Sequence, residues 1–510
     1  MDNYFLKSII ENAIKLKNNT ALIVDQKSYT YDFFINTAYA LSLTLRKVES
    51  RNLPCLILSE KTVVFYQSVL ACFFSNLIYA PINLDAPFER NLKLIALIKP
   101  AVVLIGDVNF EKIQPFLSLL KNKKVVVAND QAYIKLISYF KTTQIIKINF
   151  SQEKVSNDII FNLDKKAYLL FTSGTTGEPK GIAISNQNLH TYLDAVLSVF
   201  PIYENNRQLQ MSDIAFDIAI HEMLSTWVGG GTLVVYNEKN HCQLALFLFR
   251  NQISHFVMIP SVLPILFNQC EMLHLNLTAL QIGLVCGEAF PLHFAKKLQQ
   301  LAPNCVIANL YGPTEATVAC VYHIFSDKND YAALSTVPIG YPFSKTMLGL
   351  SDQNEIIISG DQVADCYWNR GLKNEGKFFF HPSNNKKSYA TGDIGFYHAV
   401  WGYVFSGRID DQWQIQGMRI EKSEVESVLR IVTGVDDCFV VPAFNHCGLI
   451  VDLVLFATQE IILHRYQHEL KNRLPLQAIP KKFFFVKRVP RLPNGKVNYK
   501  VFYETILQSA

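Results

Sequence analysis

Residues 172–181, Thr-Ser-Gly-Thr-Thr-Gly-Glu-Pro-Lys-Gly, place seven glycines, serines and threonines in ten positions beside a single lysine. Gly174 and Gly177 let the backbone turn tightly and face its amide hydrogens outward. Ser173, Thr175 and Thr176 add hydroxyl donors, and Lys180 adds a cation, so the segment suits a polyphosphate. It is not the phosphate loop in which Gly-Lys precedes Ser or Thr and a helix. Here Lys180 runs into the strand-like Gly181-Ile-Ala-Ile-Ser185, and Asn186 reads as the cap of a helix starting near 187. The loop is therefore expected to join two strands. The alternative is an ordinary polar hairpin, and the density of small hydroxylated residues ending in Pro-Lys-Gly argues against it.

Four further segments set one or two charged side chains beside glycine or proline: Tyr311-Gly-Pro-Thr-Glu315, Tyr389-Ala-Thr-Gly-Asp393, Gly407-Arg-Ile-Asp410 and Pro493-Asn-Gly-Lys496. Taken alone, Asp393 is as well explained as a turn residue, and Lys496 after Asn-Gly as a solvated lysine. Taken in this order behind the glycine-rich loop, they are far more specific. Over nearly its whole length the chain resembles the adenylate-forming superfamily: acyl-CoA synthetases, luciferases and the adenylation domains of peptide synthetases.

The resemblance implies roles for particular residues. Ser173, Gly174, Thr175, Thr176, Gly177 and Lys180 would hold the phosphates of ATP, and Glu315 would be a ligand of Mg2+, a hard ion that prefers oxygen. Tyr311 would pack on adenine, Asn309 would touch its exocyclic amine, and Asp393 would accept the ribose hydroxyls. Gly287, Glu288, Gly312, Thr314 and Arg408 would complete the nucleotide site. Lys496 would be the catalytic lysine. A carboxylate attacks the α-phosphorus of ATP, charge grows on the bridging and leaving oxygens, and a cation there stabilises the transition state. Asp410 would be the hinge between residues 1–408 and a C-terminal lid at 412–510, with 409–411 as the pivot.

Phe216-Asp217 opens the stretch Asp-Ile-Ala-Ile-His-Glu-Met. In members that activate amino acids, an aspartate at this point pairs with the substrate ammonium; members that activate aryl or fatty acids generally lack it. The competing reading is a polar residue favoured at a helix start. By the same resemblance Ile218, His221, Val257, Leu284, Cys286, Leu310, Val318 and Ala319 would line the substrate pocket. That lining is mostly apolar and points to a small or aliphatic side chain. Leu284-Val-Cys-Gly-Glu288 is similar to D-alanine–carrier protein ligases, where the matching cysteine helps select a D side chain. His221 reads equally as a core histidine bonded to backbone. Two departures stand near the hinge: Gln414 replaces a lysine common in the family, and Gln416 an arginine common in peptide synthetases.

The elements that must position these groups follow from patterning. Strand-like runs such as Leu53–Leu58, Ala101–Ile105, Lys124–Ala128 and Thr232–Tyr236 alternate with amphipathic helices through the first 400 residues, which predicts an α/β fold with a largely parallel sheet. Past Arg408 the pattern changes. A helix is expected over 421–432 with Val425, Val428, Leu429 and Val432 on one face, followed by strands near 437–441 and 448–457, a helix near 461–473 and a strand at 483–487. That is a small, mobile α+β domain. A length of 510 residues exceeds what one core supports, in keeping with two domains.

Composition excludes several classes. The formal charge of +5 is a weak bias at this length and gives no reason to expect nucleic acid. Ten scattered cysteines lack metal-site spacing and read as buried small hydrophobes in a reducing compartment, the cytoplasm. Thr62–Leu84 carries no charged side chain, but Gln67, Ser75, Asn76 and Pro81 interrupt it; a buried helix over 64–76 and a strand at 77–80 are expected, not a membrane span. The expected activity is ATP-dependent activation of a small amino acid and its transfer to a phosphopantetheine thiol on a separate carrier protein. The alternatives are an acyl- or aryl-acid CoA ligase, which Asp217 argues against, and a non-catalytic nucleotide-binding regulator, which Lys180, Glu315, Asp393 and Lys496 together argue against.

Overall fold

Pro54–Leu58 is buried along its whole length, and its residues divide by period two: Cys55 and Ile57 join one core, Leu56 and Leu58 another. A strand covered on both faces needs no polar alternation, so the segment reads as an unbroken apolar run. The computed structural model in which it lies describes residues 5–49, 51–128, 130–140, 144–148, 154–155, 161–172, 179–238, 241–331, 334–368, 376–383, 385–410, 412–445, 449–491 and 497–508. Pro54–Leu58 runs parallel to Ile78–Pro81 and Val102–Ile105 in an eight-stranded sheet. At the other side of that sheet Lys166–Thr172 and Lys180–Ser185 pair antiparallel, so the glycine-rich segment joins two adjacent strands.

A nine-stranded sheet carries the parallel strands Arg207–Gln210, Thr232–Val235, His255–Met258, Ile282–Cys286 and Val306–Tyr311, with Val321–Ile324 antiparallel near one edge. The largest core cluster joins residues of both sheets to helices Phe5–Lys15, Tyr31–Val48, Val63–Phe74, Asn186–Val199 and Asp217–Gly229. The uncharged segment behaves as expected. Val63–Phe74 is a helix buried at every position from Phe65 onward, Asn76 reverses the chain at φ 56°, and Ile78–Pro81 is a strand. No helix among the described residues is long and apolar enough to cross a membrane. One helix start is corrected: Ser185, not Asn186, is the N-cap, in a reciprocal capping box with Asn188.

A five-stranded sheet ends the larger part at Gly402–Arg408. Beyond it, Gln412–Ile415 and Met418–Glu421 form a two-stranded hairpin of their own. Its turn residues Gln416 and Gly417 have φ 51° and 74°, the doubly positive pair that matches strand twist in a two-residue hairpin loop. Helix Lys422–Thr433, strands Cys438–Phe444, Ile450–Ala457 and Lys482–Phe485, and helix Leu463–Arg473 follow. They share a separate core that includes Val425, Leu429, Leu453, Leu455 and Leu470. The molecule is thus an α/β protein with a small C-terminal α+β subdomain. Ion pairs Arg90–Glu424 and Arg473–Glu89, both at 3.4 Å, join the rims of the two parts. Of the described cysteines, seven are buried, Cys366 is half-buried and Cys242 is exposed; none is in a disulfide.

Candidate active site

Parallel strands present their carboxyl ends on one side of a sheet, and loops leaving those ends build the sites of open α/β folds. Here Ile282–Cys286 leads into Gly287-Glu288, and Val306–Tyr311 leads into Gly312-Pro313-Thr314. Both loops line a cavity of about 1570 Å3. Helix Asp217–Gly229 adds its first residue to the same wall, with Phe216 extended at the N-cap position. Ile218, Cys286, Leu310 and Val318 supply apolar surface beside Asp217.

Burial pushes the Asp217 carboxyl up to about 6, against a hydrogen bond from the Thr314 side chain that pulls it down. The site therefore resists a bare negative charge and would gain from a cation beside Asp217. His221, Val257, Leu284 and Ala319 are buried behind the cavity wall rather than in it. His221 is a core histidine, with Nδ1 2.7 Å from the Tyr192 hydroxyl rather than bonded to backbone.

Gly287, Glu288, Asn309, Tyr311, Gly312, Thr314, Asp393, Arg408 and Asp410 share the cavity wall. The Tyr311 hydroxyl donates to Asp393 at 2.5 Å. Arg408 pairs with Asp393 and, through Nε at 2.6 Å and Nη2 at 2.8 Å, with Asp410. The Asn309 side-chain amide donates to the carbonyls of Val337 and Pro338 at 3.0 and 2.9 Å, which fixes its plane. Gly312 admits no side chain, because a Cβ there would lie 2.6 Å from the Ala319 Cα. Glu288 accepts from Ser261 N at 2.9 Å and from Gly417 N at 2.8 Å, tying the hairpin to the larger part.

Glu315 is fully buried, and it accepts hydrogen bonds from the hydroxyls of Tyr389 at 2.9 Å and Tyr367 at 3.1 Å. The Arg419 guanidinium lies 3.2 Å from both carboxylate oxygens. Burial works to raise the Glu315 carboxyl, but Arg419 and the tyrosine hydroxyls outweigh it and hold it below its ordinary value. Lys180 is buried, with Nζ 5.3 Å from the centre of the Tyr367 ring. Thr317 and Val318 both sit at positive φ, 59° and 63°, where β-branched residues are strained. Gln362 pins this turn: its carbonyl accepts from Thr317 Oγ1 at 2.6 Å, and its amide donates to the Ala319 carbonyl at 2.9 Å. Strain held in place by surrounding structure is a mark of functional turns. Ser173, Gly174, Thr175, Thr176, Gly177 and Lys496 lie outside the described residues.

Sequence reasoning missed Arg419, Tyr367, Ser261 and the role of Gly417. The hairpin had a legible signal: Trp413, Ile415, Met418 and Ile420 alternate with polar residues around Gln-Gly. Nothing local shows that this hairpin reaches Glu288 and Glu315, which lie over a hundred residues upstream.

Parallel strands and a helix start that bring Asp217, Glu288 and Tyr311 to one cavity, shared with Asp393, form the site of an α/β enzyme. Residues 10–368 match the AMP-binding enzyme family, and the chain belongs to it. It is 28% identical to the D-alanine–D-alanyl carrier protein ligase of Lactococcus lactis subsp. lactis (strain IL1403), over 97% of each chain. It is 25% identical to bacitracin synthase 2 of Bacillus licheniformis, over 97% of this chain and 18% of that one. Its fold is similar to the crystal structure of the Vibrio cholerae adenylation domain AlmE in complex with glycyl-adenosine-5'-phosphate, with a TM-score of 0.88 and 25% identity, over 100% of this chain and 98% of that one.

Proposed function

We propose that the chain activates a small α-amino acid with ATP and passes it to the phosphopantetheine thiol of a separate carrier protein. The carrying observation is a partly buried Asp217 carboxylate set against the apolar wall of Ile218, Cys286, Leu310 and Val318. An ammonium fits the carboxylate, and the apolar wall suits a small or aliphatic side chain. In the first step a carboxylate oxygen of the amino acid bonds to the α-phosphorus while the bond to pyrophosphate breaks. In the second the thiol sulfur bonds to the acyl carbon, its proton is lost, and AMP leaves.

Asp217 binds the ammonium, Asp393 the ribose hydroxyls, and Tyr311 stacks on adenine. Lys180 and the hydroxyls of residues 173–176 cradle the phosphates, and Lys496 neutralises the charge that grows in the first step. Among the described residues no group of three or more His, Cys, Asp and Glu side chains converges as a metal cage. Glu315 is buried and paired with Arg419, so it would hold Mg2+ only with that guanidinium displaced; Mg2+ keeps several waters and binds mainly through substrate phosphates. When bound, that ion supplies positive charge to the phosphate oxygens. The cavity runs on past these groups to Phe444, Leu474, Leu476 and Tyr503 of the C-terminal subdomain, a length that supports entry of a thiol arm.

The testing experiment is pyrophosphate exchange across glycine, both alanines and larger D- and L-amino acids. Glycine and D-alanine are expected to lead, in line with the relatives, D-alanine being the first choice. Exchange with only large or aromatic amino acids would refute the reading.

The hairpin supplies a second test. Gly417 sits at φ 74° with a Cβ position 3.0 Å from Ile259 Cδ1. In Gly417→Leu the left-handed backbone alone costs about 1–2 kcal/mol and the side chain displaces Ile259. Because Asp410 is proposed as the pivot that brings this hairpin to the site for thiol transfer, carrier loading should fall about tenfold while exchange stays within about twofold. Equal losses in both half-reactions would separate Gly417 from the transfer step.

A further inference from the structure

Glu315 has no exposed surface, whereas Arg419, which pairs with it, lines the cavity. The guanidinium therefore stands between the carboxylate and the space where a phosphate-bound ion would sit. Tyr367 and Tyr389 close the other side. Arg419 is itself part of the hairpin: its Nε donates to Gln412 Oε1 at 2.7 Å, and the hairpin turn is fastened to Glu288 through Gly417 N. A buried carboxylate stripped of its cation is strongly unfavourable. With no metal at the phosphates, Glu315 would need a replacement charge, and the hairpin carries one on Arg419.

We infer that Arg419 is the exchange cation of Glu315: the carboxylate holds either a divalent ion or the Arg419 guanidinium, so metal binding and hairpin docking exclude one another. The inference rests on the reading of Glu315 as a metal ligand. It gives the two half-reactions an order. With metal present, Glu315 is taken and the hairpin stays away, leaving the site to adenylation. With metal gone, Arg419 re-enters and draws residues 412–421 onto the cavity for thiol transfer. A protein whose hairpin competes with metal has an apparent affinity reduced by the fraction of molecules that are docked.

The experiment measures Mn2+ binding by electron paramagnetic resonance with α,β-methylene-ATP and no amino acid, and amide hydrogen exchange of residues 412–421 by mass spectrometry. In the unmodified chain, Mn2+ with the analogue should speed exchange of the hairpin peptide about fivefold or more over the analogue with EDTA, since undocking frees the Gly417 amide from Glu288. Arg419→Ala should bind Mn2+ about tenfold more tightly than the unmodified chain, Arg419→Lys should restore much of the competition, and Glu315→Gln should bind it at least about tenfold more weakly. Weaker Mn2+ binding by Arg419→Ala would overturn the inference and make Arg419 a phosphate ligand instead. Hairpin exchange that is the same with Mn2+ and with EDTA would overturn it without any variant. If Glu315→Gln loses affinity while Arg419→Ala matches the unmodified chain, the exchange idea falls and Glu315 stays a metal ligand. If Glu315→Gln binds as tightly as the unmodified chain, both fall.

Discussion

Lys496→Ala is expected to lower pyrophosphate exchange at least ~100-fold, the scale of removing one transition-state charge contact. The effect belongs to one step. Adenylation brings a carboxylate against a polyphosphate and needs an added cation; thiol transfer expels AMP from an acyl carbon and does not. The variant supplied with preformed aminoacyl adenylate should load a carrier within about twofold of the unmodified chain. Folding should be untouched. The neighbouring Val497 packs against the small aromatic cluster of Phe439, Phe456 and Phe502, and that core keeps all its apolar members in the variant. Neither Arg491 nor Val497 lines the cavity, while Gln412, Gly417 and Arg419 do. The described arrangement is thus one with the hairpin at the site. Near-normal exchange in Lys496→Ala, with an unchanged Tm, would remove the lysine from the chemistry.

Asp217→Asn is expected to cut kcat/KM for glycine and D-alanine by about 100-fold or more. The amide keeps the shape of the carboxyl but leaves the ammonium unpaired in a largely apolar pocket, a cost of several kcal/mol. Acetate and propionate, which carry no amine, should be used equally by both forms. The unmodified protein offers an independent check. Burial raises the Asp217 carboxyl to about 6, so the charged form that receives the ammonium is complete above that value and lost below it. KM for the amino acid should therefore climb about tenfold per pH unit as pH falls below the Asp217 value, and KM for propionate should lack that limb. A KM for glycine that stays flat from about pH 5 to 7 would contradict the pairing.

Local rules carried the sequence reading a long way. Thr62–Leu84 resolved into a buried helix and a strand because Asn76 and Pro81 punctuate it. Pro54–Leu58 was visible as a strand because both its faces are covered. The helix over 422–433 followed from the spacing of Val425, Leu429 and Val432. Sequence alone points to Asn186 as the cap, since Ser185 and Asn186 are both good caps; the deciding partner of Ser185, Asn188, lies three residues on. What stayed hidden depends on distant contacts. His221 looks like a pocket residue until Tyr192, on another helix, takes its Nδ1. Glu288 looks like a nucleotide contact, yet here it binds the backbone of Gly417. Arg419 has no motif of its own, and only the folded chain sets it against Glu315.

The rim pairs Arg90–Glu424 and Arg473–Glu89 have a consequence for how the protein responds to its medium. Arg473–Glu89 is partly exposed, and pairs of that kind contribute about 0.2–1 kcal/mol, close to thermal energy, while Arg90–Glu424 is more sheltered. Physiological salt screens such charges over about 8 Å, whereas the buried Glu315–Arg419 pair is sheltered from it. The seam between the two parts is therefore soft at its edge and firm at its centre. Ionic strength should loosen the edge without reaching the centre, so that, if the two parts separate as proposed, their docking becomes a property that the surrounding electrolyte tunes.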